Sequence, residues 1–329
     1  MTETASETVA NTASETATEP RSYYGRPIIK EPTWTWEIPT YFFTGGLAGG
    51  SAGLAYLSEL RGDHAAAKRG WTIGLAAIAL SPPLLISDLG RPARFHHMLR
   101  MFKVTSPMSV GSWILGASGT ATAVAAANAW LGLFPRLARV ARPAAAFFGL
   151  PLSTYTAALV TNTAVPAWHE ARTTMPFVFA AGAGLSAGAA ATVGAPTDQV
   201  AAARRLAIGG SLAELGAHAM MKRRLGEQAE AYKDGAAERL EQLARAGLAA
   251  GTALMVSRGH RSRVAAAAAA GLMLTGAMAT RWSIYKAGFA SAADPKYVVG
   301  PQRAGIRAGA RAGAARTQPR QAAVTPPAG

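Results

Sequence analysis

Eight long stretches of apolar and small residues, separated by short polar connectors, set the pattern of the chain: 41–60, 70–89, 109–131, 143–162, 177–194, 200–221, 243–256 and 264–285. Most are as long as a helix must be to cross ~30 Å of hydrocarbon at about 1.5 Å per residue. The pattern therefore predicts an all-α fold, a polytopic membrane helix bundle of about eight transmembrane helices. The seventh stretch is the weakest, short and rich in Ala and Gly, so a count of seven is the alternative. The segment between stretches six and seven, 222–239, mixes both charge signs and reads as an exposed helix or loop. The pattern divides the chain into a disordered N-terminal tail and pre-helix segment (1–35), a membrane domain (36–290) and a disordered basic C-terminal tail (291–329); neither tail has the apolar content to fold alone.

Composition sharpens this picture. Half of the 329 residues are hydrophobic and 16% are charged, against roughly 25% charged in an average soluble domain. The stretches are rich in Gly and Ala. Gly45, Gly49 and Gly53 recur every fourth residue beside the parallel row Gly46 and Gly50, a small-xxx-small pattern that lets helices approach closely. The first twenty residues lack the basic and apolar regions of a cleavable signal peptide, so the first stretch is expected to act as its own insertion signal.

The net charge is +15. With eight crossings, both termini lie on one side, and about two thirds of the Lys and Arg residues fall there, Arg281 counted among them; the positive-inside rule then places the termini in the cytoplasm. The Arg residues at 303, 307 and 311 are read as a tail lying near anionic lipid, and nucleic acid is not expected as a partner.

Ionisable residues inside or beside the stretches are few, and each asks for a partner or a task. Glu37 precedes the first stretch and Asp88 ends the second. Tyr155 lies in the fourth, His169 and Glu170 follow it, and Glu214 and His218 stand i and i+4 on the sixth. Alternation of helix direction brings all of them toward one face. Each also has a simpler reading. Glu37 belongs to an interfacial belt with Trp34, Trp36 and Tyr41; Asp88 pairs with Arg91 or Arg94; Glu214 and His218 form a packing device rather than a proton relay; and Tyr155 is core.

What is missing narrows the class. With no cysteine the chain can ligate no iron-sulfur cluster through thiolates. Only His218 of the six histidines lies within a stretch, so a transmembrane bis-His haem is excluded. No metal site is expected, since HEARTTM at His169 lacks the second His of HExxH.

Three segments carry a resemblance: SYYGRPIIKEPTWTWEIPTYFFTGGLAGG, SPPLLISDLGRPARFHHMLRMFKVTSPMSVGSWIL and PLSTYTAALVTNTAVPAWHEARTTMPFVFAAGAGLSAG. Together they resemble the NrfD/PsrC family, the polytopic membrane subunits of polysulfide reductase, nitrite reductase and formate dehydrogenase type complexes. The resemblance runs from about Tyr23 to Met221, and the block from DLGRP to TSPMSVGSW is its most specific part. It implies a subunit of a bacterial cytoplasmic membrane oxidoreductase complex without a redox metal of its own. Such a subunit exchanges electrons between an iron-sulfur partner, wired to a molybdopterin catalytic subunit, and menaquinone or ubiquinone. It also implies a quinone pocket at Glu37 or Tyr41, Asp88 and Tyr155. The first-helix match is imperfect, because some members carry Asn and His where this chain has Glu37, Tyr41 and Thr44.

On that resemblance Tyr155 is expected to bond a quinone carbonyl, and Asp88 and Glu37 to exchange protons with the adjacent aqueous face. Arg91 and Arg94 would dock the partner or orient Asp88, with His169 and Glu170 as secondary candidates. Little polar character is expected on the opposite half beyond Glu59 and Asn128, so proton pumping is not expected. Two other functions stay open: a secondary transporter, which internal inverted repeats would favour, and a membrane anchor that binds no quinone.

Overall fold

The computed structural model describes residues 27–301; the remainder of the two expected tails lies outside the described residues. Eight long helices appear in the expected order: α1 Glu37–Leu60, α2 His64–Ser87, α3 Pro107–Leu131, α4 Pro135–Thr161, α5 Met175–Thr192, α6 Ala201–Leu225, α7 Gly235–Ser257 and α8 Arg263–Ala293. No strand occurs among the described residues. Five of the helices, α2, α3, α4, α5 and α8, are long and apolar enough to cross a membrane. The other three are of comparable length, but Gly, Ser and ionisable residues lower their hydropathy.

The local sequence explains where the helices begin and end. Pro107 and Pro135 open α3 and α4, where the missing N–H costs nothing because the first turn leaves it unpaired anyway. Asp63, Ser106 and Ser262 cap α2, α3 and α8 by accepting from the backbone N–H of Ala66, Ser109 and Ala265. Gly132, with φ of 68°, closes α3 in the left-handed region.

Two sets of four helices make up the bundle. In the first, α1 packs on α2 and α4, and α3 closes the ring against the same two. In the second, α5 packs on α6 and α8, and α7 closes the ring. The sets meet where α1 contacts α5 and α8 and where α4 contacts α5. Because helix direction alternates, α1 and α5 start on the same face and the two sets run in the same sense.

Small residues make the seams. A Cβ on Gly49 would sit 2.3 Å from the Gly149 carbonyl oxygen, and one on Gly149 would sit 2.7 Å from that of Gly49. The backbones of α1 and α4 thus touch at this crossing, which only a pair of glycines permits. Gly50 meets the Ala183 carbonyl of α5 just as closely, whereas Gly53 faces open space. Large apolar side chains such as Leu80, Phe147, Leu150, Phe177 and Leu212 are turned outward, the reverse of a soluble protein and the surface a lipid solvent requires.

Two expectations are corrected here. The seventh helix is not short: α7 has 23 residues, because EQLARA and the residues before it form its opening turns. The connector before it is not wholly exposed, since Gln228, Ala231 and Tyr232 are buried in the bundle. At the C-terminal end, Ala292 and Tyr297 also pack into the core.

Candidate functional site

The face where α1 begins and α2 ends carries the first site. Just before α1 the chain crosses the bundle as a strap, and its residues are held individually. Thr35 donates to Asp88 Oδ1 through both its backbone N–H (3.1 Å) and its hydroxyl (3.0 Å). The same hydroxyl contacts Glu37 Oε2. The two carboxyl groups that the sequence singles out are therefore linked through one threonine. A hydroxyl has a single proton to donate, so the three groups are all bonded only when one carboxyl supplies a second. Both acids are half-buried.

Aromatic residues wall this site. Trp34 stacks on Trp168 with ring centroids 5.3 Å apart. The Trp34 carbonyl accepts from the Tyr285 hydroxyl, and Trp168 Nε1 donates to the Ile284 carbonyl at 2.8 Å. Trp168 fits because residue 288 is glycine: a Cβ there would lie 1.9 Å from the indole. Beside Trp34, a recess of about 580 Å³ is lined by residues 28–34, Thr163, Val165 and Trp168.

The remaining candidates are distributed unequally. Tyr155 sits at the same end of the bundle, its ring over Gly111 and its hydroxyl donating to the Pro107 carbonyl in the first turn of α3. Tyr41 is fully buried near it. His169 and Glu170, on the short helix Pro166–Glu170, are exposed; Glu170 forms a surface ion pair with Arg172 at 3.6 Å, and neither joins the acid pair. Arg91 and Arg94 are exposed and, among the described residues, make no ion pair with Asp88. The simpler reading of Asp88 as their partner is thus replaced by its bonds to Thr35.

Glu214 and His218 belong to a second centre, inside the α5–α8 half. Arg281 Nη1 pairs with Glu214 Oε1 at 3.2 Å, and Nη2 donates to the Phe179 carbonyl. The guanidinium lies over the Phe179 ring, 4.3 Å from its centroid. Gly182 leaves space for the pair. Counting Arg281 among the residues of the aqueous face was an error of depth: it is 2% exposed and is the counter-ion of Glu214. His218 does not bond Glu214; its ring meets the edge of Tyr232 at 5.8 Å. Nearby, Lys222 donates to both oxygens of Glu241 at 2.8 Å. Tyr232 lies in the short 3₁₀ helix Gly226–Lys233 that connects α6 to α7, where burial, aided by the Glu241 charge, pushes its phenol above the ordinary range. Glu214 Oε2, His218 Nε2, Tyr232 OH and Arg281 Nε have no hydrogen-bond partner among the described residues.

The opposite face is more polar than its sequence promised. Arg142 bonds both Glu59 (3.3 Å) and Asn128 (2.6 Å), and Trp71 Nε1 donates to Glu59 at 2.8 Å. These bonds tie α1, α2, α3 and α4 together, although Arg142 Nε is left without a partner among the described residues.

Sequence reasoning missed Thr35, Tyr285, Gly288 and Arg281. Thr35 and Gly288 give no signal in a single sequence. Arg281 does, since a lone cation in an apolar stretch is the natural partner for the lone buried acid of another.

No curated protein matches the chain. A family model, NrfD_2, described as polysulfide reductase, matches residues 21–294. That match covers the strap, all eight helices and both polar centres, so the chain is a multi-pass membrane protein and belongs to the NrfD-type polysulfide reductase family.

Proposed function

We propose that this chain is the quinone-exchanging membrane subunit of a multi-subunit oxidoreductase in a bacterial cytoplasmic membrane. It would pass electrons between an iron-sulfur partner and menaquinone or ubiquinone, with a molybdopterin subunit beyond that partner. The observation that carries the reading is the Glu37–Thr35–Asp88 linkage, two carboxyl groups joined at one aqueous-facing end of a lipid-exposed bundle.

The residues fit such a carrier. A quinone ring asks for a flat apolar surround and for groups that give or take protons at its oxygens. Trp34, half-buried beside the recess and backed by Trp168, supplies the first, and the acid pair supplies the second. When bound, a quinone accepts two electrons and two protons and leaves as quinol. The electrons must come from another chain, because this one has no cysteine to hold a cluster.

Asp88 and Glu37 deliver protons at the site and recover them from the adjacent water, with Thr35 keeping the two groups in register. Tyr155 gives up its bond to the Pro107 carbonyl in favour of a quinone carbonyl, an exchange of one hydrogen bond for another of similar strength.

Replacing Asp88 by Asn and Tyr155 by Phe in the assembled complex tests this reading. Loss of a positioned acid lowers quinone turnover by ~100-fold or more, with cluster reduction by the electron donor unchanged. Full turnover in both variants would leave the chain a membrane anchor. Solute uptake by the chain alone, without the redox partners, would make it a transporter.

A further inference from the structure

The connector between α2 and α3 contains a 3₁₀ helix, Pro92–Leu99, whose three-residue period sorts its side chains into rows. Pro92, Phe95 and Met98 form one row. Arg91, Arg94, His97 and Arg100 form another, with Lys103 just beyond. Phe95, Met98 and Leu99 close the end of an apolar groove of about 430 Å³ between α2 and α3. Gly116, Gly119 and Ala123 keep its α3 wall low, and Leu75 to Ile86 form the α2 wall. At about 1.5 Å per residue that wall is ~17 Å long, close to one leaflet of a ~30 Å hydrocarbon core.

The charge pattern beside the groove is one-sided. From Leu89 to His169 the sequence contains no Asp or Glu. Arg91, Arg94, Arg100 and Lys103 are all exposed, and among the described residues none of them makes an ion pair. A row of cations at the mouth of a leaflet-deep apolar slot complements a molecule with an anionic head and an aliphatic tail. An uncharged quinone would leave those cations unmet.

We propose that this groove is a binding site for an anionic phospholipid, its phosphate on the Arg91–Arg94–Arg100 row and one acyl chain between α2 and α3 under Phe95 and Met98. The bound lipid pins the connector that starts at Asp88. Its effect on quinone turnover rests on the function proposed above; the binding itself does not.

The test uses the full chain in mild detergent and in phosphatidylcholine nanodiscs, with phosphatidylglycerol as probe. Native mass spectrometry of the wild type is expected to retain phosphatidylglycerol in preference to phosphatidylcholine, and added phosphatidylglycerol to raise the thermal midpoint. In the triple variant Arg91→Gln, Arg94→Gln, Arg100→Gln, phosphatidylglycerol affinity falls roughly a hundredfold. Gly116→Leu, built into the open groove where a Cβ meets no atom within 4 Å, blocks the tail and abolishes the preference with the basic row intact. Helical circular dichroism checks that both variants fold. Equal retention of the two lipids by the wild type, meaning an adventitious lipid only, would overturn the proposal. Wild-type affinity in either variant would also overturn it, as would quinone displacing phosphatidylglycerol from the groove. Loss of lipid binding with quinone turnover intact supports the site while separating it from the catalytic reading.

Discussion

The two four-helix sets share a plan and differ in where they keep their charge. In α1–α4 the ionisable groups sit at the ends: Glu37 and Asp88 at one, Glu59 with Arg142 at the other. In α5–α8 a carboxylate and a guanidinium lie within the bundle, 0% and 2% exposed. An acid at a helix end can borrow a hydroxyl, a backbone N–H or water, whereas an acid at depth needs a cation of its own, because desolvation outweighs any single neutral hydrogen bond. The first half is therefore free to exchange protons at its surface, and the second is committed to an internal pair.

Breaking the internal pair gives the largest effect. Arg281→Met leaves Glu214 buried and unpaired, and about 3–5 kcal/mol of stability is lost, read as a fall in thermal midpoint and in yield of folded protein. The double variant Arg281→Met, Glu214→Leu sharpens the contrast, since removing both charges is expected to restore most of that loss. If the single variant is as stable as wild type, the two halves do not differ in the way described.

Closing the glycine contacts ranks next. Gly288→Ala drives a methyl into Trp168, and Gly49→Ala drives one into the Gly149 carbonyl; each costs about 1–3 kcal/mol as overpacking. Gly53→Ala, which faces open space, is the neutral control. Thermal unfolding of the three side by side distinguishes a packing seam from a general dislike of alanine.

The smallest effect falls on the strap. Thr35→Val removes the hydroxyl from both acids while keeping the backbone N–H to Asp88, and about 1 kcal/mol is lost. Quinone turnover is expected to fall about tenfold, the kinetic equivalent of such an interaction, and Thr35→Ser to recover it. Turnover unchanged in Thr35→Val would show that the acids work without the bridge.

Much of this architecture is legible in one sequence because a membrane permits few backbone solutions. Hydropathy located all eight helices, and direction reversal at each connector was enough to bring Glu37 and Asp88 to one end. Depth was harder to read. The eighth apolar stretch fades at Tyr285, so Arg281 looked superficial; the helix in fact continues to Ala293, which at about 1.5 Å per residue puts Arg281 ~18 Å from the helix end. The opening of α7 was hidden for a related reason, since charged turns that pack on neighbouring helices look like a loop in a hydropathy profile. Thr35 was invisible, because the contact that matters spans 53 residues and depends on how the strap is laid across the bundle.

That strap has a mechanical consequence. Two adjacent residues grip different parts of the molecule: Trp34 is clamped by Tyr285 of the second half and by Trp168 of the short helix packed on it, and Thr35 is tied to Asp88 of the first. A single peptide bond thus spans the joint like a strain gauge. Any rocking of one half against the other must first stretch or slacken the very link that holds the two acids together.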